Sequence, residues 1–264
     1  MCGIAATLLT PQARSASLWD DIWQDFTENL LINEKRGPEA TGVALLHKDG
    51  RLRIVKQAVA AHEFVKTAVF QALRQQLDAE TVLLLGHTRY PTQGSPQIRD
   101  NNHPIQVGPV FGVHNGRIHN DRQLFAQAAY PRRAQVDSEI IFQLLQPHSP
   151  AQTTYTNYLQ TIQTPLQQLE GDFTFLAADR RAPGHLLLVK HHQPMSVYYH
   201  AQWSALIFSS RYIFLRKKFG QRVRNDLLLP DQLILYDAMR VHEQQQFPVA
   251  TLPLYSAVEG GCGE

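Results

Sequence analysis

The chain has 264 residues, 44% of them hydrophobic and 18% charged, a composition that supplies a sizeable core under an ordinary polar surface. Lys plus Arg number 25 against 23 Asp plus Glu, a formal net charge of +2, which argues against a nucleic-acid partner or an anionic membrane. Two cysteines, Cys2 and Cys262, are too few for a disulfide framework. No apolar run reaches the roughly 20 residues of a transmembrane helix, and the first residues lack a secretory signal, so a cytoplasmic location is expected.

Residues 3–9 read as a buried strand, and Trp19, Trp23, Phe26 and Leu30 recur at helical spacing, predicting an amphipathic helix to about Asn33. A glycine-bearing loop over 35–42 leads into the strand Val43-Ala44-Leu45-Leu46. Asp49-Gly50 is a hairpin signal that joins it to Leu52-Arg53-Ile54-Val55. Phe64, Ala68, Val69 and Leu73 predict a second helix, Val82-Leu83-Leu84-Leu85 a strand, and the polar stretch to about Pro104 a long loop of the kind that carries function. Val110-Phe111-Gly112-Val113 predicts a strand ending in a turn at His114-Asn115-Gly116-Arg117.

Helices are expected at 121–129, 138–146 and 155–169. After Gly171 the pattern changes to strands, at 172–178, 185–190, 196–200, 205–209 and 232–236, with a turn over 179–184. Strands at both ends with helices between them predict two sheets covered by helices. Residues 1–247 are expected to form one domain and 248–264 a C-terminal tail, with Gly260-Gly261-Cys262-Gly263 as its mobile end. The basic cluster Arg216-Lys217-Lys218 with Arg222 and Arg224 reads as a solvated face.

The chemistry begins at Met1-Cys2-Gly3-Ile4. Removal of Met1 leaves a residue that carries both a thiol and a free α-amino group. A thiol of pKa about 8.5 needs a base to become an effective nucleophile at neutral pH, and an α-amino group at about 7.7–8.0 is such a base. Further polar clusters follow the predicted strands: Arg36-Gly37-Pro38-Glu39-Ala40-Thr41-Gly42, Gly86-His87-Thr88-Arg89-Tyr90-Pro91-Thr92-Gln93-Gly94, Asn102-His103-Pro104 and His114-Asn115-Gly116-Arg117-Ile118, with Asp137-Ser138-Glu139 opening a helix. Each alone has an ordinary reading: Asn115-Gly116 as a hairpin turn, Asp137 as a helix cap, Arg89 as a surface cation. The histidines lack the paired spacing of a zinc site, so no metal and no cofactor is expected.

In order and content, however, these motifs together with Cys2 resemble the class II glutamine amidotransferase domain of the N-terminal nucleophile hydrolases, and within that class the glutaminase domain of glucosamine-6-phosphate synthase. The resemblance spans residues 2 to about 178 and implies a four-layer αββα sandwich of two mostly antiparallel sheets. It implies hydrolysis of L-glutamine to L-glutamate and ammonia through a γ-glutamyl thioester on Cys2, with the Asn115 side chain and the Gly116 N–H as oxyanion donors. Arg89 and Asp137 match the residues that bind the α-carboxylate and α-ammonium of free glutamine, and Thr92, His103 and Tyr90 match supporting positions in the pocket. The loop Arg89 to Gly94 matches a flap that closes over glutamine.

Two positions depart from the pattern without changing chemical type: Tyr90 stands where the most similar members have tryptophan, and Glu39 where they have aspartate. Only about 25 residues follow the last clear strand, so no site for using ammonia is visible. The expected role is a glutaminase subunit that passes ammonia to a separate synthase or acceptor subunit. The alternatives are a free-standing amidase on a γ-glutamyl or small amide compound, which the Arg89–Asp137 pair disfavours, and a non-catalytic glutamine-sensing or assembly subunit, which would need neither nucleophile nor oxyanion donors.

Overall fold

A computed structural model describes residues 1–220, 223 and 228–255. The N-terminal strand β1 (Gly3–Leu9) is buried along its whole length, and its alternation decides the layering. Ile4, Ala6 and Leu8 face one apolar cluster, and Ala5 and Leu9 face another, as the period of two along a strand requires. Helix α1 (Ala16–Asn33) starts at Ser15, whose hydroxyl accepts from the Leu18 N–H. It packs Trp19, Ile22, Trp23, Phe26 and Leu30 against the outer face of the β1 sheet.

That first sheet, among the described residues, has the order β3-β2-β4-β1-β10-β9, with β2 (Ala40–His47), β3 (Leu52–Gln57), β4 (Thr81–Arg89), β9 (Ser196–His200) and β10 (Ala205–Ser209). The second has the order β12-β11-β8-β7-β6-β5, with β5 (Ile105–Val107), β6 (Val110–Ile118), β7 (Gly171–Asp179), β8 (His185–His191), β11 (Gln232–Asp237) and β12 (Ala250–Pro253). Every pairing within them is antiparallel. Phe111, Val113, Leu176, Leu186 and Leu188 of the second sheet meet Ile4, Ala6, Leu8, Leu83 and Leu85 of the first in the central core. Phe173, Phe175 and Val189 turn outward onto the helix pair α5 (Glu139–Leu145) and α6 (Tyr155–Leu166). The order of layers is helix, sheet, sheet, helix: the αββα sandwich.

Three expectations change. The single helix read around 64–73 is two, α2 (Ala61–Phe64) and α3 (Ala68–Arg74), because Thr67 ends one segment and caps the next by accepting from the Phe70 N–H. The turn read at His114-Asn115-Gly116-Arg117 is strand, since β6 runs through to Ile118 beside β7. Gly116 there has φ of +122°, and a Cβ would lie 1.7 Å from the Asp172 carbonyl oxygen, so glycine serves a close strand contact and not a reversal.

The tail read from 248 begins inside the sandwich, for β12 pairs with β11 and Leu254 is fully buried. The expectations for Gly260 to Gly263 and for Cys262 lie outside the described residues. The basic cluster is a solvated face where it is described: Arg216, Lys217 and Lys218 are exposed on the helix α7 (Tyr212–Phe219), and Lys218 also bonds Glu28 at 2.5 Å and lies 3.3 Å from the buried Asp25. Arg222 and Arg224 lie outside the described residues. Helix α4 (Asp121–Ala128) stands as expected, and α8 (Val241–Gln244) is a short turn the sequence pattern did not announce.

Candidate active site

Strand register builds the site. Gly3 pairs with Thr88, so Cys2 comes to the end of β4 beside Arg89 and Tyr90. The second sheet is brought to the same place by His87, whose Nε2 lies 3.0 Å from the carbonyl oxygen of His114 on β6. One small cavity, about 250 Å³ with the space at its mouth included, is lined by Cys2, Arg89, Tyr90, Thr92, His103, Gly116 and Asp137. These residues lie up to 135 positions apart in the chain. Gln93, His114, Val136 and Ser138 complete the wall.

The Cys2 sulfur touches backbone: its thiol lies 3.4 Å from the Tyr90 carbonyl oxygen, and the Tyr90 N–H donates to it at 3.3 Å. Burial pushes the thiol above its ordinary range, with the Asp137 carboxylate adding to the rise. The Tyr90 N–H, the N-terminal charge and the Arg89 guanidinium act the other way. The carbonyl of Cys2 accepts from Arg36 Nε at 2.6 Å, which fixes the chain entering β1.

Asn115 is fully buried behind this wall. Its amide nitrogen donates to Ser210 Oγ at 2.8 Å. Ser210 is a residue the sequence reading missed, and it ties three strands together. It follows β10, its N–H donates to the Ile4 carbonyl at 3.0 Å, and its hydroxyl also accepts from the Ile4 N–H at 3.0 Å. Only the pairing of β1 with β10 could have announced it. Asn29 and Asn33 were likewise missed. They anchor the end of α1 to the Phe208 carbonyl and to Ser209, and Thr88 donates to the Asn33 carbonyl.

Arg89 is buried with no carboxylate in ion-pair range among the described residues. Its Nη1 donates to Asn102 Oδ1 at 2.7 Å, and its Nη2 to the carbonyls of Gln93 at 2.6 Å and Gly94 at 2.8 Å. A guanidinium has five N–H groups, so two remain for a ligand. Desolvation pushes its pKa down, against the pull of the Cys2 sulfur and the Asp137 and Glu39 carboxylates. Across the cavity Asp137 accepts from the Ile118 N–H at 2.7 Å through Oδ2, leaving Oδ1 for the pocket. An unpaired buried cation therefore faces an acceptor-only carboxylate.

Three buried imidazoles pack beneath the pocket: His87 and His103 at 4.2 Å between ring centres, His103 and His114 at 6.4 Å. Burial pushes all three below the ordinary histidine range, His87 to about 3. They are neutral at pH 7. His114 Nδ1 lies 2.8 Å from Ser138 Oγ, while neither nitrogen of His103 has a partner. No hydrogen bond joins any of the three to the Cys2 sulfur among the described residues, so none stands as its base. Tyr90 lines the cavity chiefly with its backbone, and 49% of its surface is exposed.

The sandwich with a cysteine at the head of its first strand is the N-terminal nucleophile hydrolase type. In agreement, the chain matches a solved glutamine phosphoribosylpyrophosphate amidotransferase from B. subtilis with a TM-score of 0.68 at 18% identity, covering 96% of this chain and 49% of that one. A glutamine aminotransferase class-II domain protein from Silicibacter pomeroyi matches with a TM-score of 0.57 at 16% identity, covering 97% of this chain and 100% of that one.

Sequence comparison points to the same group of proteins. Residues 92–217 match the model of the glutamine amidotransferase domain. A curated relative, the glutamine–fructose-6-phosphate aminotransferase (isomerizing) of Vibrio vulnificus, is 26% identical over 200 residues, covering 75% of this chain and 30% of the relative. In sequence and in fold the chain is thus similar to class II glutamine amidotransferase domains, among them that of the isomerizing glutamine–fructose-6-phosphate aminotransferases. It spans about 30% of the length of the curated aminotransferases that it matches.

Proposed function

We propose that this chain hydrolyses L-glutamine to L-glutamate and ammonia and passes the ammonia to a separate acceptor protein. With Met1 removed, the Cys2 α-amino group takes the thiol proton, directly or through a water, and the sulfur attacks the side-chain amide carbon. The oxyanion that forms takes hydrogen bonds from the Gly116 N–H and from the Asn115 amide hydrogen not engaged by Ser210. Collapse expels ammonia, protonated by the same amine, and leaves the thioester, which water then cleaves to glutamate.

The observation that carries this reading is the charge arrangement around the sulfur. Arg89 offers two free N–H groups for an α-carboxylate, and Asp137 offers a free carboxylate oxygen for an α-ammonium in the same cavity. That pair favours an unmodified amino acid over a γ-glutamyl peptide or other small amide. The acceptor is supported by the loop after β4, which lines the pocket through Tyr90, Thr92 and Gln93 and carries the exposed apolar side chains of Tyr90 and Ile98. Such side chains are what a partner covers.

A glutamine-like electrophile such as 6-diazo-5-oxo-norleucine tests the chemistry. Processed protein should take up one label, at Cys2, and Cys2→Ala should take up none and lose turnover. A label in Cys2→Ala, or one that maps to Cys262, would sink the assignment. Intact-mass analysis adds a second test: molecules that retain Met1, whose Cys2 nitrogen is acylated, should be inactive. For the partner, glutamine hydrolysis should rise when the co-purifying protein is restored. An isolated chain already at full rate, and unaffected by any added protein, would favour the free-standing amidase.

A further inference from the structure

The largest concavity near the pocket lies on the other side of the loop that holds Arg89. It is a cleft of about 330 Å³, open to solvent, lined by Lys56, Arg99, Asp100, Pro104, Arg133 and Glu139 among others. This is the scale of small-molecule sites. Its two rims are tied together: Asn101 Nδ2 donates to Gln135 Oε1 at 3.1 Å, and the Gln135 N–H donates to Asn101 Oδ1 at 2.7 Å.

Its charges are unbalanced. Glu139 is buried and spent, accepting from the N–H groups of Arg133 and Ala134 and from Gln143. The guanidiniums of Arg99 and Arg133 have no hydrogen bond or ion pair among the described residues. Lys56 donates to the carbonyls of Asn102 at 2.7 Å and Pro104 at 3.0 Å and keeps its third N–H. Burial and the nearby Arg99 and Arg89 push its ammonium down to about 8, with Asp100 opposing. Three cations thus face one free carboxylate, that of Asp100.

We propose that this cleft binds a small phosphate-bearing molecule, its phosphate held by Lys56, Arg99 and Arg133 and its hydroxyl groups, where it has them, by Asp100. Two guanidinium forks and an ammonium suit a dianion with three acceptor oxygens. The cleft shares a wall with the glutaminase pocket. Pro104 lines one and His103 the other, and Asn102, whose carbonyl Lys56 holds, accepts from Arg89 through its side chain. Gly42 is what lets this wall lie so close to the sheet, since a Cβ there would stand 2.1 Å from the His103 carbonyl oxygen. A phosphate that draws on Lys56 therefore acts on Arg89 through Asn102 and changes the affinity for glutamine. The binding stands by itself, while this coupling rests on Arg89 holding glutamine.

The test titrates the full chain with inorganic phosphate and with glycerol 3-phosphate by calorimetry, at constant ionic strength in chloride. Saturable binding of either probe is expected. It should weaken at least about tenfold for each charge-assisted hydrogen bond that Arg99→Gln/Arg133→Gln removes. Equal affinity for the two probes points to free phosphate, and tighter binding of the ester points to a hydroxylated ligand reaching Asp100. No saturable heat in the wild type, or the same affinity in the double variant, overturns the site.

Both arginines are exposed and neither lines the Cys2 pocket, so the double variant should keep wild-type glutamine turnover without phosphate. Phosphate should shift KM for glutamine in the wild type and not in the double variant. Binding without a KM shift removes the coupling and leaves the site. Binding by a chain that does not hydrolyse glutamine leaves the site and removes the glutaminase reading.

Discussion

The pocket has two halves held by different means. Cys2, Asn115 and Gly116 stand on or next to β1 and β6, and their positions follow from ladders in which Gly3 pairs with Thr88, Asn115 with Thr174 and Gly116 with Phe173. Arg89 ends β4, but its guanidinium is aimed by three acceptors in the loop beyond, and Tyr90, Thr92 and His103 belong to that loop. The reacting half is fixed by backbone pairing inside two packed sheets. The recognising half is fixed by single hydrogen bonds from a charged donor, each worth about 1.5–3 kcal/mol. On the proposed function, chemistry that tolerates no displacement would sit in the first, and a part that must admit and release a substrate in the second.

The harshest break of the reacting half is Gly116→Ala. The new Cβ would meet the Asp172 carbonyl oxygen at 1.7 Å in a backbone conformation that suits glycine. The β6–β7 ladder has to shift, and the N–H that serves the oxyanion shifts with it. Loss of one such donor costs about 2.7–4 kcal/mol, so kcat should fall about 100- to 1,000-fold, with a lower melting temperature. Unchanged kcat would mean that this strand carries no oxyanion donor.

Arg89→Ala breaks the recognising half and should act on binding. A charge-assisted hydrogen bond is worth about 1.5–3 kcal/mol, or about 10- to 150-fold in glutamine affinity. Labelling by an electrophile that lacks the amino-acid head group should be much less affected. A variant that loses kcat with the same KM would place Arg89 in the reacting half and erase the distinction.

The same division governs what the sequence revealed. Motif order and the family resemblance singled out Cys2, Asn115, Gly116, Arg89 and Asp137, and the structure brings Cys2, Gly116, Arg89 and Asp137 around one cavity with Asn115 buried behind it. Their supporters were not legible. Ser210, Asn29 and Asn33 matter through partners 95 to 206 positions away, and no local pattern encodes a cross-strand neighbour. The run His114-Asn115-Gly116-Arg117 read as a turn because Asn-Gly favours positive φ, and Gly116 does have it, inside a strand. The start of the tail at 248 was misplaced for a related reason: β12 has only four residues, and its pairing with β11 is what makes it a strand.

Between the halves lie His87, His103 and His114, and acid should separate them from the rest. His87 is pushed to about 3 by burial, against about 6.5 in an unfolded chain. The folded state thus binds fewer protons below pH 6.5, and stability falls as pH drops from there toward 3. His87 alone accounts for about 2 kcal/mol between pH 7 and 5, and the other two act in the same direction. Asp25, pushed up to about 6 by burial, works oppositely as it takes a proton. Thermal unfolding at pH 7, 6, 5 and 4 in an Asp25→Asn background removes that opposing carboxylate, with and without His87→Gln to separate His87 from His148, His185 and His200, which burial also pushes down. A flat melting temperature would show that His87, His103 and His114 are not buried neutral.

The smallest expected effect is the one that best separates positioning from packing. Ser210 accepts from Asn115 Nδ2 and from the Ile4 N–H, so it links the oxyanion side chain to the strand that carries Cys2. In Ser210→Ala the Asn115 amide keeps its place on β6 but loses the acceptor that fixes its rotation. One net hydrogen bond, about 0.5–1.5 kcal/mol, corresponds to about 2- to 13-fold in rate. That loss should appear in kcat with KM for glutamine unchanged, because Arg89 and Asp137 do not touch Ser210, and Ser210→Thr should restore part of it. A fall in melting temperature with kcat intact would reduce Ser210 to a sheet contact, and the precision of the reacting half would then rest on the β6–β7 ladder alone.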